Sequence, residues 1–171
     1  MDNKTAAGCI FYAKDTGKFM LLKRSGEVSD GLTWGTIGGM AEANETPVDA
    51  LRREIKEETK YKEYIQPKLL NVYSEGNFKY FNFLVIVPKE FKPKLNKENV
   101  EYQWFDLENL PSPLHSGVVS MLPHLRTSFK DRVVAKYKLS EKDFNLLNKD
   151  KKPNKTLLKV VNEYKKRIIS K

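Results

Sequence analysis

Apolar residues in this chain cluster in short runs separated by turn residues. Thr5–Ala13 is almost wholly apolar and is followed, across Asp15-Thr16-Gly17, by Lys18–Arg24. Such runs predict two strands joined by a turn. Ser25–Leu32 is a polar, glycine-containing loop, and Trp34–Ile37 leads into Gly38-Gly39, whose missing side chains let backbone carbonyls approach an ion or a phosphate. The period then changes. Val48, Leu51, Ile55 and Thr59 recur at helical spacing behind Thr46 as N-cap, Pro47 at the first helical position and Asp49 three residues past the cap, which predicts a helix from residue 47. Lys68–Tyr73 and Tyr80–Val87 read as strands, the second nearly continuous in apolar residues and therefore central. Val100–Phe105 reads as a further strand, Asp106–Leu110 as a turn or short helix, and Ser116–Leu125 as a helix interrupted at Pro123. Periodicity alone gives an α/β class.

The last quarter differs in kind. Ser140-x-x-Asp143 has the form of a capping box, residues 148–154 are a charged break with one proline, and Leu157, Val160, Val161, Tyr164 and Ile168 recur at helical spacing among lysines. Residues 1–127 hold 17 Lys+Arg against 17 Asp+Glu, whereas residues 128–171 hold 14 against 5, so the whole net charge of +9 lies in the tail. The expected organisation is a domain over residues 1–128 and a basic, mostly helical extension over 129–171. Such a tail could hold RNA or an acidic partner. The length of 171 residues and 40% hydrophobic content suit one well-buried core. No run of about 18 apolar residues and no charged-then-apolar leader is present, so neither membrane insertion nor secretion is expected. The one cysteine, Cys9, excludes an internal disulfide and reads as core filling, in keeping with a reducing cytoplasm.

The chemistry is concentrated between Gly39 and Tyr61. Glu54, Glu57 and Glu58 stand at i, i+3 and i+4 of the expected helix, on one face and within reach of a shared ion. Clustered charges on a helix usually form only a solvated face. Here Gly39, Glu45, Arg53 and the three glutamates fall at fixed offsets whose chance match is on the order of one in a million. Three carboxylates beside a backbone carbonyl make a hard, all-oxygen site that favours Mg²⁺ or Mn²⁺ over zinc.

Gly39-x5-Glu45-x7-Arg53-Glu54-Ile55-x-Glu57-Glu58-x-Lys60-Tyr61 resembles the Nudix box. Lys60 replaces the box's last glycine, and Tyr61 replaces a bulky aliphatic residue. That glycine would end the helix in a left-handed turn, so Lys60 should cost about 1 kcal/mol there. The resemblance implies a Nudix-type α/β/α sandwich with a mixed sheet over roughly residues 3–128. It also implies a metal-dependent hydrolase that cleaves the pyrophosphate bond of a nucleoside diphosphate linked to another group, such as ADP-ribose, a dinucleoside polyphosphate, NADH or a nucleoside triphosphate. The alternative is an RNA-associated protein that binds or trims a nucleotide end through its basic tail.

By the same resemblance Glu57 and Glu58 are metal ligands, the Gly38 carbonyl contributes, and Glu54 is a ligand or the base that activates water. Arg53 would orient Glu54, and Glu45 would support the loop beside it. A further acid is expected from downstream, with Glu101 preferred and Glu98 second. Arg24 could bind substrate phosphate. Trp34, Phe78, Tyr80 and Phe81 could stack on a base or ribose, with core packing the better expectation for at least half of them. His115 and His124 lack metal-ligand spacing and are expected in ordinary hydrogen-bonded roles.

Overall fold

The computed structural model describes residues 2–129, together with Ser140 and Lys142. Among the described residues the elements follow in the order β1 (Lys4–Ala13), β2 (Lys18–Arg24), β3 (Trp34–Gly35), β4 (Ile37–Met40), α1 (Pro47–Thr59), β5 (Lys68–Glu75), β6 (Phe78–Val87), β7 (Asn99–Phe105) and α2 (Ser116–Ser128). The expectations for the extension beyond residue 129, apart from those two residues, lie outside the described residues.

β1 is the axis of the sheet. Along one edge it pairs in parallel with β6, from Lys4↔Phe78 to Ala13↔Val87. It also pairs antiparallel with β4 at Ala6–Cys9 and with β2 at Phe11–Ala13. β2 continues the sheet to β3 and β7, and β5 closes the far edge against β6. The sheet is therefore mixed.

Its two faces are covered by different helices, which explains why β1 lacks alternation. Cys9, Phe11 and Ala13 pack with Leu51 and Ile55 of α1, whereas Ile10 and Tyr12 pack with Val118, Met121, Leu122 and Leu125 of α2. Successive side chains point to opposite faces, and both faces are dry. Cys9 is fully buried, and burial pushes its thiol well above the ordinary range, so it behaves as a small core residue.

The helix boundaries follow local chemistry. Thr46 accepts from the Asp49 amide at 3.1 Å while the Asp49 carboxylate accepts from the Thr46 amide at 3.1 Å, the reciprocal box expected of those residues. α1 ends at Lys60, which takes the left-handed conformation (φ 60°, ψ 17°) and donates its N–H to the Lys56 carbonyl. Tyr61 fills an aromatic socket between Phe11 and Phe91, with centroids 5.5 and 4.4 Å away.

Three expectations change. Gly38-Gly39 lies within β4, paired with Gly8 and Ala7, because the segment gains a ladder with β1. β6 starts at Phe78, since a two-residue turn at Gly76-Asn77 returns β5 directly onto it. Pro123 does not interrupt α2, which runs on to Ser128 because Leu122, Leu125 and Phe129 hold its apolar face on the sheet.

Candidate active site

The end of β4 and the inner face of α1 meet at the expected site. Arg53 is its organiser. Its Nε and Nη2 hold both oxygens of Glu45 at 2.8 and 3.0 Å, its Nη1 donates to Glu54 at 2.8 Å and to Glu57 at 3.4 Å, and Nη2 also donates to the Met40 carbonyl at 2.9 Å. One guanidinium thus ties the β4–α1 loop to two of the three glutamates on α1. The Glu45 contact in particular raises the Arg53 pKa and keeps the group charged, and the same contact lowers that of Glu45.

Glu58 is bound differently. It is 4% exposed, and its two oxygens accept from the Gly38 N–H at 2.9 Å and from the Asn99 side-chain amide at 2.8 Å. Both donors are neutral. Burial therefore prevails and pushes the Glu58 pKa up to about 7, with the charges of Glu54 and Glu98 adding to the rise. Burial raises Glu54 as well, in spite of Arg53. Gly39 is required by this packing, since a Cβ there would collide with the Glu54 carboxylate. A Cβ at Gly38 would strike the Ala7 carbonyl and the Tyr80 hydroxyl.

The three glutamates do not converge as a ready cage. Among the described residues no three acidic, histidine or cysteine side chains are gathered closely enough to hold an ion together. Glu58 is turned inward, Glu54 is held by Arg53, and the Glu57 side chain is 54% exposed. The donors nevertheless fit a hard divalent cation. All are oxygens, two are carboxylates whose charged form is disfavoured by burial, and Glu57 is free enough in solvent to swing toward them. The Gly38 N–H donates to Glu58, and the Met40 carbonyl accepts from Arg53.

Beside the glutamates a cavity of about 520 Å³ opens between the sheet and the N-terminus of α2, reaching from Gly38–Met40 to Tyr73 and Phe78. Arg24 and His115 line it. The Arg24 Nε donates to the Ser29 carbonyl at 3.0 Å, and the His115 Nδ1 caps α2 by accepting from the Gly117 N–H at 3.0 Å. Burial, and then Arg24, lower the His115 pKa and favour the neutral ring, although Asp30 stands 3.3 Å away.

Several expected residues fall elsewhere. Trp34 is 7% exposed, packed edge-on against Phe105 with Lys23 over its ring, and does not line the cavity. Glu101 stands opposite Lys23, and strand alternation puts it with Phe105 on the face away from α1. Glu98 is the acid whose charge acts on Glu54 and Glu58, because a register shift opposite Lys23/Arg24 offsets the start of β7. Phe78 and Tyr80 line the cavity, Phe81 packs on the α1 side, and His124 is exposed on α2. Asn99 is the residue that sequence reasoning missed. It carries no charge, and only its position beside Glu98 on the strand after the loop could have singled it out.

The NUDIX domain family model matches residues 2–125. A Caenorhabditis elegans protein carrying the name nudix hydrolase 1 is 28% identical over 109 residues, covering 63% of this chain and 30% of that protein, so the chain spans about a third of that relative's length. Among solved structures, a NUDIX hydrolase from Nitrosomonas europaea superposes with a TM-score of 0.62 at 23% identity, covering 77% of this chain and 73% of that one. A C. elegans Ap4A hydrolase superposes at 0.58 with 20% identity, covering 74% and 98%. At these identities the structural likenesses show the fold alone. With the box in place on β4 and α1 and the family model spanning the whole described sheet, this chain belongs to the Nudix hydrolase family.

Proposed function

We propose that this protein is a divalent-metal-dependent pyrophosphohydrolase acting on a nucleotide, with the diphosphate lying between Arg24 and the glutamates of α1. The observation that carries this reading is the pair of buried carboxylates, Glu54 and Glu58, against Gly38-Gly39 at the mouth of the cavity. Burying two carboxylates with their pKa values raised costs stability, and a cation offsets that cost. Glu54, Glu57 and Glu58 are the groups that would hold Mg²⁺, or Mn²⁺ in its place. When bound, the ion supplies neutralisation of the phosphate oxygens and acidification of bound water.

The chain's own residues do the rest. Arg53 fixes Glu45 and Glu54 relative to one another, which orients that part of the box before reaction. Glu54, partly dry and packed against Gly39 of the cavity lining, is suited to take a proton from an attacking water. Arg24 faces the cavity with a fixed positive charge and suits a phosphate. The name of the Ap4A hydrolase fits a dinucleoside polyphosphate as one substrate of this class. ADP-ribose, NADH and nucleoside triphosphates belong to the same class.

The test is a panel of these nucleotides incubated with the full chain and Mg²⁺, with products identified by mass. Splitting of a P–O–P bond, dependent on the cation, supports the reading. Turnover unaffected by chelation, or no cleavage of any P–O–P bond across the panel, contradicts it.

A further inference from the structure

The floor of the cavity holds a polar group that neither the fold nor the box chemistry uses. Asn82, on β6, is 1% exposed and lines the cavity, yet its side-chain oxygen is buried without a hydrogen-bond partner in the protein. Its register partner on β5 is Asn71, and the Asn71 side-chain oxygen is also buried without a partner. Register partners point to the same face, here the face toward α2. An unpaired buried carboxamide oxygen costs on the order of 1–3 kcal/mol, and a leucine of similar volume would avoid that cost. The neighbouring β6 residues on this face, Tyr80 and Leu84, pack without such a deficit. The deficit at Asn82 is therefore one that a ligand can remove.

We propose that Asn82 reads the base of the bound nucleotide by accepting a hydrogen bond from an exocyclic amino group. This deepens, and rests on, the reading of the cavity as a nucleotide site. Two further features of the cavity specify that ligand. Tyr73 and Phe78 line it beside Asn82 and offer aromatic surface for a base, the Tyr73 hydroxyl being anchored on Glu75 at 2.6 Å. Arg24 lies on the lining as a cation for phosphate. The unpaired Asn82 oxygen calls for an N–H donor, which an exocyclic amino group projecting from the edge of a base supplies.

The experiment measures calorimetric binding of nucleoside monophosphates to the full chain and to Asn82→Leu, with thermal unfolding of both. AMP is compared with purine riboside monophosphate, and GMP with IMP, pairs that differ by one amino group. The wild-type chain should prefer the amino-bearing member of at least one pair on the order of tenfold. Asn82→Leu should lose that preference while unfolding at the same or a higher temperature, because it replaces an unpaired polar group with an apolar one. A structural role would instead lower the unfolding temperature and leave the preference intact. Equal binding within each pair by the wild type, or no nucleoside monophosphate binding at all, overturns the inference. Because binding is read without turnover, these outcomes are separate from failure of the hydrolase reading. A chain that binds AMP through Asn82 but cleaves no P–O–P bond would sink only the latter.

Discussion

Glu58 and Arg53 play opposite electrostatic parts on neighbouring turns of α1. Arg53 is surrounded by carboxylates and stays charged, whereas Glu58 is buried among neutral donors and has a pKa near 7. In metal-free protein at about pH 4.5 to 7, folded Glu58 keeps a proton that the unfolded chain has released. Its contribution to stability is thus fully present below about 4.5 and is lost as pH rises through about 7, a change on the order of 3 kcal/mol. Urea unfolding of chelator-treated protein at pH 5 and pH 8 should show that decline, and Glu58→Gln should flatten it. An unchanged slope in the variant would mean that another group titrates. Gly39→Ala should push the Glu54 carboxylate aside, lowering turnover at least about tenfold and destabilising the fold by about 1–3 kcal/mol. Full activity in that variant would show that Glu54 has room to move. The sequence disclosed the carboxylates through their spacing. It did not disclose Asn99 or Asn82, since a neutral amide has no signature until the sheet brings it against Glu58 or into the cavity.

At the scale of elements, α1 was the most legible part of the chain, because Thr46, Pro47 and Asp49 encode its start within four residues and Lys60 occupies the turn that ends it. Lys60 holds φ near 60°, where glycine is at ease, so Lys60→Gly should leave activity intact and stabilise the protein by up to about 1 kcal/mol in urea unfolding. Loss of most activity on that change would identify Lys60 as a working residue. β4 was less legible. Four residues with two glycines carry no strand propensity, and their ladder with β1 comes from a segment thirty residues away. β7 hid its sidedness in the same way, because its register shift decides that Glu98, and not Glu101, adds its charge to the glutamates. Pro123 misled because local propensity favours a break, while packing of α2 against the sheet overrides it.

For the molecule as a whole, the mixed sheet with a helix on each face was anticipated from the box, whereas the strand order and the cavity follow from long-range pairings that no local pattern encodes. The described body ends at Phe129, whose ring lies 4.8 Å from Tyr12 and 5.2 Å from Phe19, so a truncation must keep it. A chain ending there should retain its unfolding temperature and its turnover of small nucleotides, while salt-sensitive binding of RNA should fall with loss of the tail's net +9. An unstable truncation would make the tail part of the fold, and salt-independent or absent RNA binding by the full chain would remove the RNA role. The central claim is that buried glutamates on α1 carry a cation-dependent cleavage of a nucleotide pyrophosphate. Its most direct test compares wild-type and Glu58→Gln turnover of a cleaved nucleotide at saturating substrate and Mg²⁺. A folded variant slowed at least about 100-fold is expected; near-normal turnover by that folded variant would contradict the role given to these glutamates.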